Sequence, residues 1–179
     1  MNISEDKTWN TAAAVVVNMM FNIYMYEYSD SKSGLARIRD TYSAIFSNFY
    51  QKPEAIAGAE LSFINLGAIA LAAASKEFSD FYNEDAAVAV LCKKQADYGP
   101  ENIAKFGRDG ILVRMHDKIA RLENLTKSGQ SPNNESIKDN YLDVLGYAAV
   151  GALWESGDFL LPLTVVESNQ DSPSPEAER

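Results

Sequence analysis

The chain has 179 residues, one cysteine and a formal net charge of −9. A chain of this length forms one domain of ordinary size, and its acidic surplus argues against binding a nucleic-acid backbone, because phosphate-backbone binders cluster Lys and Arg. The single cysteine, Cys92, excludes an internal disulfide and is typical of a reducing compartment. The stretch from Met1 to Lys7 lacks the basic start and the small-residue cleavage site of a signal peptide, so we expect a cytoplasmic protein.

Apolar residues at helical spacing predict helices almost throughout the chain, and no alternating segment bounded by hairpin turns predicts a strand. The expected helices span residues 7–28, 33–50, 54–76, 83–97, 100–106, 110–126 and 134–155. This pattern predicts an all-α fold, a single-domain bundle of about six to seven helices over residues 1–166. Residues 167–179 are polar, acidic and interrupted by proline, so we expect a disordered acidic tail there.

Two apolar runs approach the length of a membrane span. The run from Ala12 to Tyr26 is shorter than the ~20 apolar residues that a bilayer needs, and it contains two asparagines. The run from Ala55 to Ser75 contains Glu60 and Asn65 and is rich in alanine. Both runs therefore predict buried helices and no membrane partner.

The segment from Lys93 to Gly107 interrupts this apolar pattern with lysines, an acid, an aromatic residue, a proline and two glycines. Gly99 is placed to end one helix, and Pro100 is placed to begin the next, because its missing N–H is one of the unpaired donors of a helix start. This accounts for the glycines and the proline but not for the functional groups beside them. Those groups are Lys93, Lys94, Asp97 and Tyr98.

The predicted helix 110–126 places charged and apolar residues on neighbouring stripes. The charged stripe comprises Arg114, Asp117, Lys118 and Arg121, and the apolar stripe comprises Ile111, Met115, Ile119 and Leu122. Two interpretations remain open. The charged stripe is either a solvated face with internal ion pairs, or a phosphate clamp in which Asp117 binds a metal. His116, the only histidine, is more typical of a packed or surface residue than of a catalytic base.

The predicted helix 134–155 carries Glu135, Asp139 and Asp143 at four-residue spacing, opposite an apolar side formed by Ile137, Val144 and Ala148. Carboxylates at this spacing repel one another, and a divalent cation such as Mg²⁺ would turn the repulsion into attraction. Structural roles are open as well. Glu135 suits a helix N-terminus with Asn134 as N-cap, and the two aspartates suit ion pairs with the preceding helix.

These three segments together resemble the family called nucleotide modification associated domain, type one, which is often encoded by bacteriophages. The resemblance covers about residues 88–153 and depends on the combination of DYG, RxxDK and NExxxD. The final helix is also distantly similar to the MazG-like all-α nucleoside triphosphate pyrophosphohydrolases, which hold Mg²⁺ with acids at ExxE and ExxD spacing. The spacing of Asp139 and Asp143 is one residue longer than in that pattern.

The resemblance implies Mg²⁺-dependent hydrolysis of a (deoxy)nucleoside triphosphate to the monophosphate and pyrophosphate. Catalysis and metal binding are then expected of Glu135, Asp139 and Asp143, with Asp117 as a further metal ligand. Phosphate and base binding are expected of Lys93, Lys94, Asp97, Tyr98, Asn102, Arg114, Lys118 and Arg121.

The alternative is a non-catalytic nucleotide binder, for example one that sequesters a host defence signal, or an accessory to a DNA or nucleotide modification enzyme. In either case the expected partner is a small-molecule nucleotide and not a nucleic acid. For a phage-encoded protein the expected location is the host cytoplasm. The sequence leaves open whether the chain forms a homo-oligomer, and it assigns no role to the first eighty residues.

Overall fold

The computed structural model describes residues 7–28, 34–51, 58–129 and 131–164. Within these ranges the chain is all-α, as predicted, and contains no strand. The helices are α1 (Trp9–Ile23), α2 (Leu35–Gln51), α3 (Ala59–Glu77), α4 (Glu84–Tyr98), α5 (Glu101–Ser128) and α6 (Ile137–Ser156), and a π-helical turn (Tyr24–Tyr28) extends α1. The predicted tail 167–179 and the first residues of the predicted helix 54–76 lie outside the described residues.

Helix α3 lies at the centre of the bundle. It packs against α6, α1 and α2, and its side chains are buried on all sides from Leu66 to Ala74. A helix that is apolar all round is buried in a protein or a membrane, and here the neighbouring helices supply the burial. No helix in the described ranges combines the length and the apolar character needed to span a membrane.

Small residues let α6 approach α3 closely. A Cβ atom built on Gly151 would lie 2.6 to 2.8 Å from ring atoms of the fully buried Phe63. Gly151→Ala should therefore lower the free energy of unfolding by about 1–3 kcal/mol, because the phenyl ring has no room to move in a packed core.

The measurement is denaturant unfolding, with Gly34→Ala as the control. A Cβ on Gly34 meets no atom within 4 Å. Any loss of capping there is offset by the lower entropy of the unfolded chain, so its stability should change by only about 0.5 kcal/mol or less. Equal effects of the two variants would contradict close packing at Gly151.

Helix α5 contains the break that the sequence predicts near Gly107. The helix runs from Glu101 to Ser128, but Gly107 has φ 55° and ψ −140°, so its two parts meet at a kink. A Cβ on Gly107 would also lie 3.0 Å from the Trp154 ring. Glycine adopts this positive φ without strain, and its lack of a Cβ leaves room for the Trp154 ring. Gly107 therefore lets α5 bend where it packs closely against α6.

The start of α6 differs from the prediction. The N-cap is Ser136 and not Asn134, and the first helical residue is Ile137. Ser136 forms a capping box with Asp139: its hydroxyl oxygen accepts from the Asp139 backbone N–H, while its own backbone N–H donates to the Asp139 carboxylate. The reciprocal pairing satisfies two donors that would otherwise be unpaired at the helix start, and this favours Ser136 over the neighbouring asparagines.

The segment after α6 returns to the start of α1. The backbone N–H of Trp9 donates to the carbonyl of Pro162 at 2.9 Å, and Asn10 exchanges two hydrogen bonds with the backbone of Thr164. Lys7 pairs with Asp158 at 2.7 Å. These contacts fix the position of Trp9 at one end of the bundle.

Candidate functional site

A cavity of about 290 Å³ lies where α4 ends and α5 begins, beside the middle of α6 and the first residue of α1. This volume is just below the range of about 300–1,000 Å³ that is typical of small-molecule pockets. Its charged lining comprises Lys94, Arg114, Lys118, Glu135 and Asp143. Its aromatic lining comprises Trp9, Tyr98 and Tyr147, and its uncharged polar lining comprises Gln95 and Asn102.

Asp143 is the centre of an ion-pair network in the cavity wall. Its carboxylate accepts from Lys94 through one oxygen, and the other oxygen lies 2.8 Å from Lys118 Nζ. The Asp143 side chain is 12% exposed and that of Lys118 16%, so their contact forms in surroundings that screen charge weakly, whereas Lys94 is 45% exposed to solvent. Asp143 thus holds two lysines from different helices at one wall.

Glu135 extends the network towards solvent. Its Oε2 atom lies 2.9 Å from Lys118 Nζ and 2.8 Å from Arg121 Nη1, while Arg121 Nη2 donates to the Glu135 backbone carbonyl at 2.8 Å. Glu135 precedes the N-cap of α6, so Arg121 fixes a residue of the connecting loop rather than one of the helix. The network therefore joins α4, α5, α6 and this loop.

Lys118 remains cationic although it is largely buried. Burial alone lowers the pKa of its ammonium group, but the hydrogen bonds to Asp143 and Glu135 outweigh this and raise the pKa above that of free lysine. The raised pKa means that Lys118 carries its charge at any physiological pH.

Arg114 differs from the two lysines. It lines the cavity one helical turn before Lys118 and is exposed, and it forms no ion pair with any residue that the structure describes. Its charge is therefore free to interact with a ligand, whereas the charges of Lys94 and Lys118 are partly neutralised by Asp143 and Glu135.

Helical spacing explains how these groups converge. Arg114 and Lys118 are four residues apart on α5, and Asp143, Tyr147 and Val150 follow one face of α6. On α4 the lining residues belong to the last turns, and the helix ends at Gly99 with φ 64°. The positive φ of Gly99, which glycine adopts without strain, ends α4, and the start of α5 that follows also borders the cavity.

The structure brings together five of the predicted ligand-binding residues: Lys94, Tyr98, Asn102, Arg114 and Lys118 all line the cavity. Lys93 and Asp97 are on α4 but do not line it. Arg121 does not line the cavity, but it donates hydrogen bonds to Glu135, which does.

The structure brings two of the four predicted metal ligands to the cavity. Glu135 and Asp143 line the cavity, but each contacts two cationic side chains. Asp139 is engaged in the capping box of α6, and Asp117 is exposed outside the cavity. No group of three or more His, Cys, Asp or Glu side chains within the described ranges is placed to hold a metal ion. Both carboxylates of the cavity are paired with cations in this structure, and Mg²⁺ binding by these acids stays a prediction.

Sequence reasoning missed two aromatic residues of the cavity. Tyr147 lies one turn after Asp143 on α6, so helical spacing from Asp143 would have found it. Trp9 comes from the opposite end of the chain, and no local pattern relates it to α4, α5 or α6.

Comparison of the chain with protein-family models, with characterised proteins and with solved structures gives no match. The resemblance to the nucleotide modification associated family therefore stays a prediction, and the geometry of the cavity is the basis for assigning a function.

Proposed function

We propose that the cavity binds a nucleotide, with the phosphate against Arg114, Lys118 and Lys94 and the base among the aromatic residues. The observation that carries the proposal is Arg114, a cavity cation without an ion pair among the described residues, beside two lysines held by Asp143. A guanidinium group offers paired donors that match a phosphate.

Local charge supports an anionic ligand. The chain as a whole carries a formal charge of −9, yet three cations and two carboxylates line the cavity, which leaves it locally positive. Arg121 adds a further cation one contact away.

The uncharged part of the cavity suits a planar ring. Tyr98 and Tyr147 supply aromatic surface, Leu91, Ile103 and Val150 add apolar groups, and Trp9 closes the wall behind them with 1% of its surface exposed. The Tyr98 side chain is exposed at 71% of its surface, so its ring is accessible to a ligand. Aromatic rings stack on bases with little regard to sequence, and such a contact contributes ~1–3 kcal/mol.

Binding without hydrolysis, the alternative that the sequence left open, is favoured because both carboxylates of the cavity form ion pairs with cationic side chains. Magnesium-dependent hydrolysis stays a prediction. A protein that binds and does not hydrolyse acts by sequestering its nucleotide or by presenting it to another enzyme.

One experiment separates binding from hydrolysis. The purified protein is mixed with a panel of nucleoside mono- and triphosphates, with Mg²⁺ or with chelator, and bound and released species are separated by chromatography. We expect an intact bound nucleotide that chelator does not displace. Release of pyrophosphate that requires Mg²⁺ would favour the hydrolase, and no binding of any nucleotide would overturn the proposal.

Arg114→Gln tests the phosphate contact. It should weaken nucleotide binding by about tenfold or more, since a hydrogen bond to a charged group contributes ~1.5–3 kcal/mol. Stability should not change, because Arg114 forms no ion pair with the described residues. The control is Lys105→Gln, which removes the same charge from an exposed position of α5 outside the cavity. Isothermal titration of both variants should show a loss for Arg114→Gln alone.

A further inference from the structure

Three buried side-chain atoms in the described ranges have no hydrogen-bond partner: Trp9 Nε1, Asn102 Oδ1 and Asn140 Oδ1. The first two belong to residues that line the cavity, whereas Asn140 does not line it. A buried polar atom without a partner is rare in folded proteins and requires an explanation. Two of the three belong to residues that line one cavity, and both atoms lie just beneath its wall, closed to water, so a ligand that enters this wall would give each of them a partner.

The two atoms have complementary chemistry. The indole Nε1–H is a donor only, and the amide Oδ1 is an acceptor. Trp9 is 1% exposed, and its backbone is held by Pro162, so the indole donor is fixed in place. Asn102 lies in the first turn of α5, which follows directly from the fixed turn at Gly99 and Pro100. Neither residue carries a charge, so they suit a neutral part of the ligand rather than its phosphate.

We propose that Trp9 and Asn102 recognise the edge of the base, with a base acceptor facing Trp9 Nε1 and a base donor facing Asn102 Oδ1. This inference rests on the proposed function and specifies its ligand class. Each common base presents hydrogen-bonding groups on its edge, whereas inorganic polyphosphate offers no such edge. The site is therefore selective for nucleotides over polyphosphate, and a residue from the N-terminal part of the chain provides one half of that selectivity.

The test compares Asn102→Leu with the unchanged protein by isothermal titration, using the common nucleoside triphosphates and inorganic tripolyphosphate as probes. Leucine has a similar shape and no acceptor. We expect nucleotide affinity to fall by about tenfold, in line with the loss of a buried hydrogen bond, while tripolyphosphate affinity stays the same. The thermal midpoint of the free protein should stay the same or rise, because the variant removes a buried acceptor that has no partner.

Trp9 is tested through its fluorescence. The chain contains two tryptophans, so Trp154→Phe leaves Trp9 as the only one. Nucleotide should change the emission of this variant, and tripolyphosphate should not. Trp9→Phe, which keeps an aromatic ring and removes the donor, should lose nucleotide affinity as Asn102→Leu does.

The outcomes separate the two proposals. If the unchanged protein binds no nucleotide, the proposed function is overturned and this inference with it. If it binds nucleotide but Asn102→Leu binds equally well, or if tripolyphosphate binds as tightly as nucleotide, only the base-edge inference is overturned.

Discussion

Glu155→Ala is expected to destabilise the fold by about 3 kcal/mol, because it leaves a partly buried arginine without its counter-charge. Glu155 is 4% exposed and accepts two hydrogen bonds from Arg108, both at 2.6 Å. The Arg108 guanidinium also lies 3.9 Å from the centre of the Phe49 ring. This bidentate pair joins α5, directly after its kink, to the end of α6, and Arg108 adds a contact to α2.

The measurement is urea unfolding of Glu155→Ala and of a double variant at Arg108 and Glu155. Arg108→Met combined with Glu155→Leu should recover part of the loss, since apolar residues of similar volume can replace a buried ion pair without leaving a charge behind. The control is Asp40→Ala, which removes a carboxylate that is 71% exposed and should change stability by about 0.5 kcal/mol or less. A Glu155→Ala variant as stable as Asp40→Ala would show that the pair is as weak as a surface ion pair.

The helices were predictable because local pattern decides them. The apolar stripe of α5, Ile111, Met115, Ile119 and Leu122, is buried throughout, as its spacing predicts. The break at Gly107 and the junction of two helices at Gly99 and Pro100 follow from residues whose backbone preferences are strong. The start of α6 was missed because the segment before it offers several capping residues in a row, and the side chain of Asp139 decides among them.

The cavity was predictable only in part, since spacing fixes the face of a helix but not what another helix places opposite it. The sequence predicted Lys94 and Lys118 at one site, and both line the cavity; Asp143, for which the sequence predicted a metal, contacts these two lysines in the structure. That difference depends on the packing of α4 and α5 against α6. Trp9 reaches the cavity because the segment after α6 holds the start of α1, a contact across almost the whole chain. No window of sequence contains that information.

Lys118→Met is expected to weaken nucleotide binding by about tenfold to a hundredfold, because it removes the buried, always charged donor of the cavity. The variant should still fold, since Asp143 still forms an ion pair with Lys94 and Glu135 still forms one with Arg121. Lys138→Met is the matched control: Lys138 is also largely buried and paired with one acid, Asp80, but lies outside the cavity. Isothermal titration with a nucleoside triphosphate should show the loss for Lys118→Met alone, and thermal unfolding should show both variants folded. Equal nucleotide affinity of the two variants would mean that the ligand binds elsewhere and that the lysines around Asp143 serve only the packing of α4, α5 and α6.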